Sequence, residues 1–216
     1  MPDTSLRIDV EGAGAVGALR TAAKRAVWTF VYAPGASATL QDPFGVYSAN
    51  ALAQHGVEVV RFEFPYMAAK RKAPDRPPLL EATWRAVIDA VRSNDRKLVV
   101  GGRSMGGRIA SQIVAQGVKI DALALFAYPL HAPGRPEKIR DEHFPSLKCR
   151  TLFCSGTNDA FASPGELRSA ASKVKRAKVH LLEGADHGFA VKKASGRTRE
   201  DVWAEAVAAM AEWLRV

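Results

Sequence analysis

Short β-rich segments alternate with helical patterns along nearly the whole chain, and this alternation restricts the fold more than any other feature. Seven segments read as strands: Leu6–Val10, Ala26–Tyr32, Glu58–Phe64, Leu98–Gly101, Ala122–Ala127, Thr151–Cys154 and Val179–Leu182. Several are apolar at every position, as in Leu123-Ala124-Leu125-Phe126-Ala127, which suits a strand covered on both faces. Leu6–Val10 instead alternates and reads as an antiparallel edge. Between the strands lie helical patterns at Phe44–His55, Leu79–Val91, Gly106–Gln116, Glu166–Lys173 and Arg199–Leu214. The second of these carries Leu80, Trp84, Val87, Ile88 and Val91 on one stripe of 3.6-residue period. The expectation is an α/β fold: a mostly parallel, doubly wound sheet of about seven strands flanked by helices. The longest irregular stretch, Tyr128–Cys149, is too short for a large lid domain and is expected to form a local flap or loop.

With 216 residues, no composition shift and no repeat, one domain spanning 1–216 is expected. No apolar run is long enough to span a bilayer, and no apolar stretch behind a basic flank marks a secretory signal. Cys149 and Cys154 fall in or beside one strand and point to opposite faces, so neither a disulfide nor a zinc site is expected. The cytoplasm is the resulting default location. The formal charge of +9 brings nucleic acid into consideration. However, the chain has no helix-turn-helix signature, no zinc-finger spacing and no basic run interleaved with aromatics. No nucleic-acid or membrane partner is expected.

Chemistry concentrates after the fourth strand. Gly102-Arg103-Ser104-Met105-Gly106 matches G-x-S-x-G in a strand–turn–helix context, the nucleophile elbow that exposes a serine on a strained turn. By glycine usage alone, one of the chain's dozen serines would match by chance about 6% of the time, leaving a bystander serine in a Gly-rich turn as the bland alternative. That motif calls for an acid and then a histidine, each after a later strand. Thr151–Cys154 leads through Ser155-Gly156-Thr157-Asn158 to Asp159, and Val179–Leu182 leads through Glu183-Gly184-Ala185-Asp186 to His187. Asp186 would have to fold back onto its neighbour, so Asp159 is the expected acid. His55 ends a helix and His180 lies within a strand, which suits structural roles; His143 lies in the irregular stretch and His131 follows a strand, where it could line the cleft.

These pieces, with Tyr128-Pro129-Leu130-His131, resemble the α/β-hydrolase superfamily over most of the chain. More narrowly they resemble its small dienelactone-hydrolase-related branch, which has testis-expressed and chromatin-complex relatives. Dienelactone hydrolases use a cysteine nucleophile, so Ser104 sets this chain's chemistry with the serine esterases. The resemblance implies a second oxyanion donor in Ala33-Pro34-Gly35-Ala36, where the superfamily often reads His-Gly-x. The N–H of Ala36 would then join that of Met105 in the oxyanion hole.

The resulting expectation is a serine hydrolase cleaving an ester, thioester or related acyl bond, with Ser104, His187 and Asp159 as its triad and no cofactor or metal. The alternative is an inactive scaffold or binding protein that keeps the fold, as the chromatin-complex resemblance implies. Tyr66 and Met67 after the third strand, His131, and Phe189 beside His187 are expected to contact the substrate, a small acyl compound. Lys70, Arg71, Lys72 and Arg76 would favour anionic substrates if they rim the cleft; a solvated loop is the competing reading. Oligomeric state leaves no trace in the sequence.

Overall fold

The structure is a computed structural model that describes residues 3–215. Met1, Pro2 and Val216 lie outside the described residues. The strands are β1 Thr4–Val10, β2 Gly14–Thr21, β3 Trp28–Ala33, β4 Val57–Phe62, β5 Lys97–Arg103, β6 Ala122–Phe126, β7 Arg150–Gly156 and β8 Ala177–Leu182. They form one eight-stranded sheet in the order β1-β2-β4-β3-β5-β6-β7-β8. The six strands from β4 to β8 in that order pair in parallel, while β1 and β2 form an antiparallel hairpin whose second strand lies antiparallel to β4.

β2 is the one strand that the seven segments read from the sequence do not include. Gly14, Ala15, Gly17 and Ala18 are residue types depleted in strands, so the segment carries little β signal. Its period of two was present nonetheless, since Val16 and Ala18 both turn inward and are buried.

Helices cover both faces. α1 (Pro43–Ala53) and α6 (Arg199–Arg215) close one core around Phe44, Leu52, Trp203 and Met210. The short α2 (Pro65–Ala68), with α3 (Pro77–Val91), α4 (Met105–Ala115) and α5 (Pro164–Ala171), closes the other around Trp84, Ile109, Phe144 and Leu167. The helix starts are specified locally. Asp42 caps α1 by accepting from Gly45 N–H, and Ser163 and Glu166 form a capping box on α5.

The segment between β6 and β7 contains one 3₁₀ turn, Phe144–Ser146, and packs down at both ends, while residues 133–139 are exposed. Phe144 and Leu147 are buried, and the Tyr128 hydroxyl donates to the Arg140 carbonyl at 2.9 Å. Among the described residues, no helix is long and apolar enough to cross a membrane.

One consequence of the strand order positions the site. β3 has β4 on one side and β5 on the other, so the chain leaves β3 and β5 toward opposite faces. The crevice at their carboxyl ends is the topological switch point where ligands of open α/β sheets bind.

Candidate active site

β5 ends at Arg103, and Ser104 turns the chain into α4 with φ 51° and ψ −118°. A non-glycine residue held there is strained, and the packing around it explains why it stays. The carbonyl of Ala33 on β3 fills the space beside both flanking glycines: a Cβ would lie 2.0 Å from that oxygen at Gly102 and 2.3 Å from it at Gly106. The two glycines of the motif thus answer to one backbone atom of the neighbouring strand. Trp84 of α3 secures the turn from the other face, its indole N–H donating to the Gly106 carbonyl at 3.2 Å.

His187 lies in the loop after β8, and its Nε2 is 2.9 Å from Ser104 Oγ across 83 residues of sequence. On the far side of the ring, Nδ1 is 2.8 Å from Asp159 Oδ2 and 3.0 Å from Oδ1. The Asp159 side chain is fully buried. It also accepts the Phe161 N–H at 2.8 Å and faces the Ser155 hydroxyl at 3.4 Å. A buried carboxylate with this set of donors has one orientation, and that orientation fixes the imidazole.

Asp186 has a different task. Its Oδ1 accepts the N–H groups of Gly188 and Ala190, each at 2.8 Å, and its own N–H reaches the Ala190 carbonyl at 2.9 Å. It ties the His187 loop into a closed turn. The remaining histidines are engaged elsewhere: His55 with Arg215, His143 with Ser111, and His180 with Glu205.

The segment after β3 passes directly over the serine. A Cβ on Gly35 would lie 3.6 Å from Ser104 Cβ. Among the described residues, no acceptor is bonded to the N–H of Ala36 or to that of Met105 at the first position of α4. Two unmatched backbone donors beside a serine, one of them at a helix N-terminus, favour negative charge at that point.

The expected substrate contacts fare differently. Tyr66 is buried at 2% exposure, and its hydroxyl donates to the Ala36 carbonyl at 2.6 Å; it bears on the segment over the serine and offers no surface to a ligand. Burial raises its hydroxyl pKa to about 12, with the Asp75 carboxylate adding to the shift, so it stays a donor at neutral pH. Met67 is buried in the core under α2. His131 is buried, with Nδ1 on the Ala132 carbonyl at 2.9 Å and Nε2 facing Glu166 at 3.4 Å. Phe189 is fully buried against Phe44, ring centroids 5.0 Å apart. All four side chains are buried and engaged within the protein itself.

Phe161 was missed. Its ring stacks on His187 with centroids 4.0 Å apart and planes at 28°. The only sequence signal for it was its place two residues beyond Asp159. Within the basic segment, Arg71 pairs with Asp75, which also accepts the Tyr66 N–H, while Lys70, Lys72 and Arg76 are exposed.

The two cysteines are free. Cys154 is buried in β7, where desolvation pushes its thiol pKa far up, and burial raises that of Cys149 as well. Among the described residues, no group of three or more His, Cys, Asp or Glu side chains could hold a metal ion.

Comparison with known proteins agrees with this geometry. The family model described as an alpha/beta hydrolase domain matches residues 26–215. The chain belongs to that family. Solved structures with the same α/β-hydrolase fold include a Xanthomonas campestris protein described as a serine hydrolase without a lid, 19% identical over 99% of this chain and 95% of that one, with TM-score 0.76. Another is the esterase Est1E of Butyrivibrio proteoclasticus with ferulic acid bound, 17% identical over 98% of this chain and 100% of that one, with TM-score 0.78. A third is a serine hydrolase homologue of Coxiella burnetii, 18% identical over 97% and 98% of the two chains, with TM-score 0.77. At these identities the likeness is one of fold.

Proposed function

We propose that this α/β hydrolase is a serine hydrolase that cleaves an ester, thioester or related acyl bond of a small substrate through an acyl-enzyme. The observation that carries this reading is the unbroken chain Ser104 Oγ–His187–Asp159, with 2.9 Å on one side of the imidazole and 2.8 Å on the other. Serine is a weak nucleophile until a base takes its proton, and His187 Nε2 is within reach to do so. Ser104 Oγ adds to the carbonyl carbon as His187 accepts the proton. Asp159 keeps Nδ1–H directed away from the serine and offsets the charge gained by the ring. The oxyanion that forms is received by the N–H groups of Met105 and Ala36; one such donor contributes about 2.7–4 kcal/mol to the transition state. His187 then protonates the leaving group, and the ester bond to Ser104 remains. Water, deprotonated by His187, attacks that ester and releases the acid.

The narrower kinship, to the dienelactone-hydrolase-related branch with a serine in place of cysteine, is part of the same proposal. It rests on Gly101-Gly102-Arg103-Ser104-Met105-Gly106 and Glu183-Gly184-Ala185-Asp186-His187-Gly188.

A panel of p-nitrophenyl esters of rising acyl length, with matched acyl-thioesters, tests the reading. Turnover that disappears in Ser104→Ala at unchanged thermal stability supports it. Equal turnover by the variant would move the chemistry to another residue, and no turnover across the panel would favour a scaffold or binding protein.

A further inference from the structure

Arg103, the residue before the nucleophile, presents a guanidinium with few protein partners at the edge of the site. Its side chain is 21% exposed, and its one ion-pair contact is Asp42 Oδ1 at 3.4 Å. That acid is buried and otherwise committed, since Oδ2 accepts the Tyr32 hydroxyl at 2.5 Å and the Gly45 N–H at 3.0 Å. Among the described residues, the Arg103 guanidinium meets no acceptor with hydrogen-bonding geometry, although it carries five N–H donors. Four carboxylates around this end of the sheet have partners of their own: Asp159 has His187, Asp186 its own loop, Asp75 has Arg71, and Glu166 has Ser163 and His131.

Position adds to this. A Cβ on Gly35 would lie 4.0 Å from Arg103 Nε and 3.6 Å from Ser104 Cβ, so the guanidinium stands two contacts from the nucleophile, beside the segment that carries Ala36. Among the described residues no nitrogen of Arg103 is buried without a partner, so its unmet donors open to solvent, where an anionic group of a ligand can meet them. A planar fork of donors held from behind by a buried acid is suited to a carboxylate.

We infer that Arg103 is the specificity-determining residue of the site, and that the substrates are acyl compounds bearing a carboxylate within a few bonds of the scissile carbonyl. The inference rests on the proposed serine-hydrolase reading and adds the substrate class to it. The competing role for Arg103 is a strut that ties the nucleophile turn to the start of α1 through Asp42.

The two roles separate in a ratio. The kcat/KM for mono-p-nitrophenyl succinate is divided by that for p-nitrophenyl butyrate, which has the same acyl length and no charge. In Arg103→Gln this ratio should fall about tenfold to a hundredfold, the range for a lost charge-assisted hydrogen bond, and Arg103→Lys should recover part of it. A strut would slow both substrates alike and leave the ratio unchanged, which overturns the inference. A second measurement does not need turnover. In ligand-observed NMR the wild type should bind succinamate in preference to butyramide, and Arg103→Gln should lose that preference. A wild type that labels with a fluorophosphonate yet shows no charge preference sinks this inference alone; a wild type that fails to label sinks the serine-hydrolase reading instead.

Discussion

The ring of Phe161 lies on the imidazole of His187 with centroids 4.0 Å apart, while its backbone N–H donates to Asp159 at 2.8 Å. One residue therefore bears on both the proposed base and the carboxylate hydrogen-bonded to it. The imidazole becomes a cation in the proposed transition state, and a π face stabilises a cation by about 0.5–2 kcal/mol. Phe161→Ala should accordingly lower kcat about twofold to thirtyfold, with the hydrogen bond to Asp159 retained because it is made by the backbone. Phe161→Tyr, which keeps the face, should stay near wild type in the same steady-state assay.

Asp159 and Asp186 are to be told apart by kinetics. Asp159→Asn reverses the polarity of the contact with Nδ1 and favours the wrong tautomer, so kcat should fall by about 10⁴ with little change in fold. Asp186→Asn keeps an oxygen for the Gly188 and Ala190 N–H groups and should retain most activity. Asp186→Ala leaves both donors without that partner and should lower the melting temperature together with kcat. If Asp186→Asn proved the more damaging of the two Asn variants, the assignment of the acid would be wrong.

Tyr66 acts at one remove from the chemistry. Removing its hydroxyl in Tyr66→Phe frees the Ala36 carbonyl and with it the orientation of the segment proposed to supply one oxyanion donor. The expected result is a fall in kcat, bounded by the roughly hundredfold to thousandfold cost of losing a donor outright, with KM for a neutral ester nearly unchanged. A loss confined to KM would place Tyr66 in substrate binding after all.

The thiols give a check on packing that needs no substrate. A thiolate is the reactive form, and burial holds the Cys154 pKa well above its ordinary range with Cys149 also raised. In native protein at pH 8, Ellman's reagent should titrate Cys154 only on the timescale of unfolding and Cys149 slowly. Denatured protein should show both at once. Rapid reaction of two thiols in the native state would contradict the packing of β7 against α6.

The strand–turn–helix at Ser104 was legible because its constraint is absolute at the two flanking glycines. The Ala33 carbonyl leaves no room for a side chain at Gly102 or Gly106, so the fold writes itself into residue identity there. Asp159 and His187 were legible by a weaker signal, their order after successive strands, which parallel topology converts into proximity. β2 was obscured because half of its residues are alanine and glycine, which carry little β propensity. The burial of Tyr66, Met67, His131 and Phe189 was not legible, because a sequence gives a residue's position but not the direction of its side chain. Phe161 and Arg103 depend on what surrounds them in space, and only the packed structure supplies that.

The nucleophile itself can be identified by covalent capture. The protein is treated with a fluorophosphonate, digested, and the modified peptide is sequenced by tandem mass spectrometry, with His187→Ala and Ser104→Ala run in parallel. Stoichiometric modification at Ser104 in the wild type, loss in Ser104→Ala and labelling slowed by orders of magnitude in His187→Ala is the expected pattern. Modification at another serine, or labelling of Ser104 at the same rate without His187, would contradict the proposed mechanism.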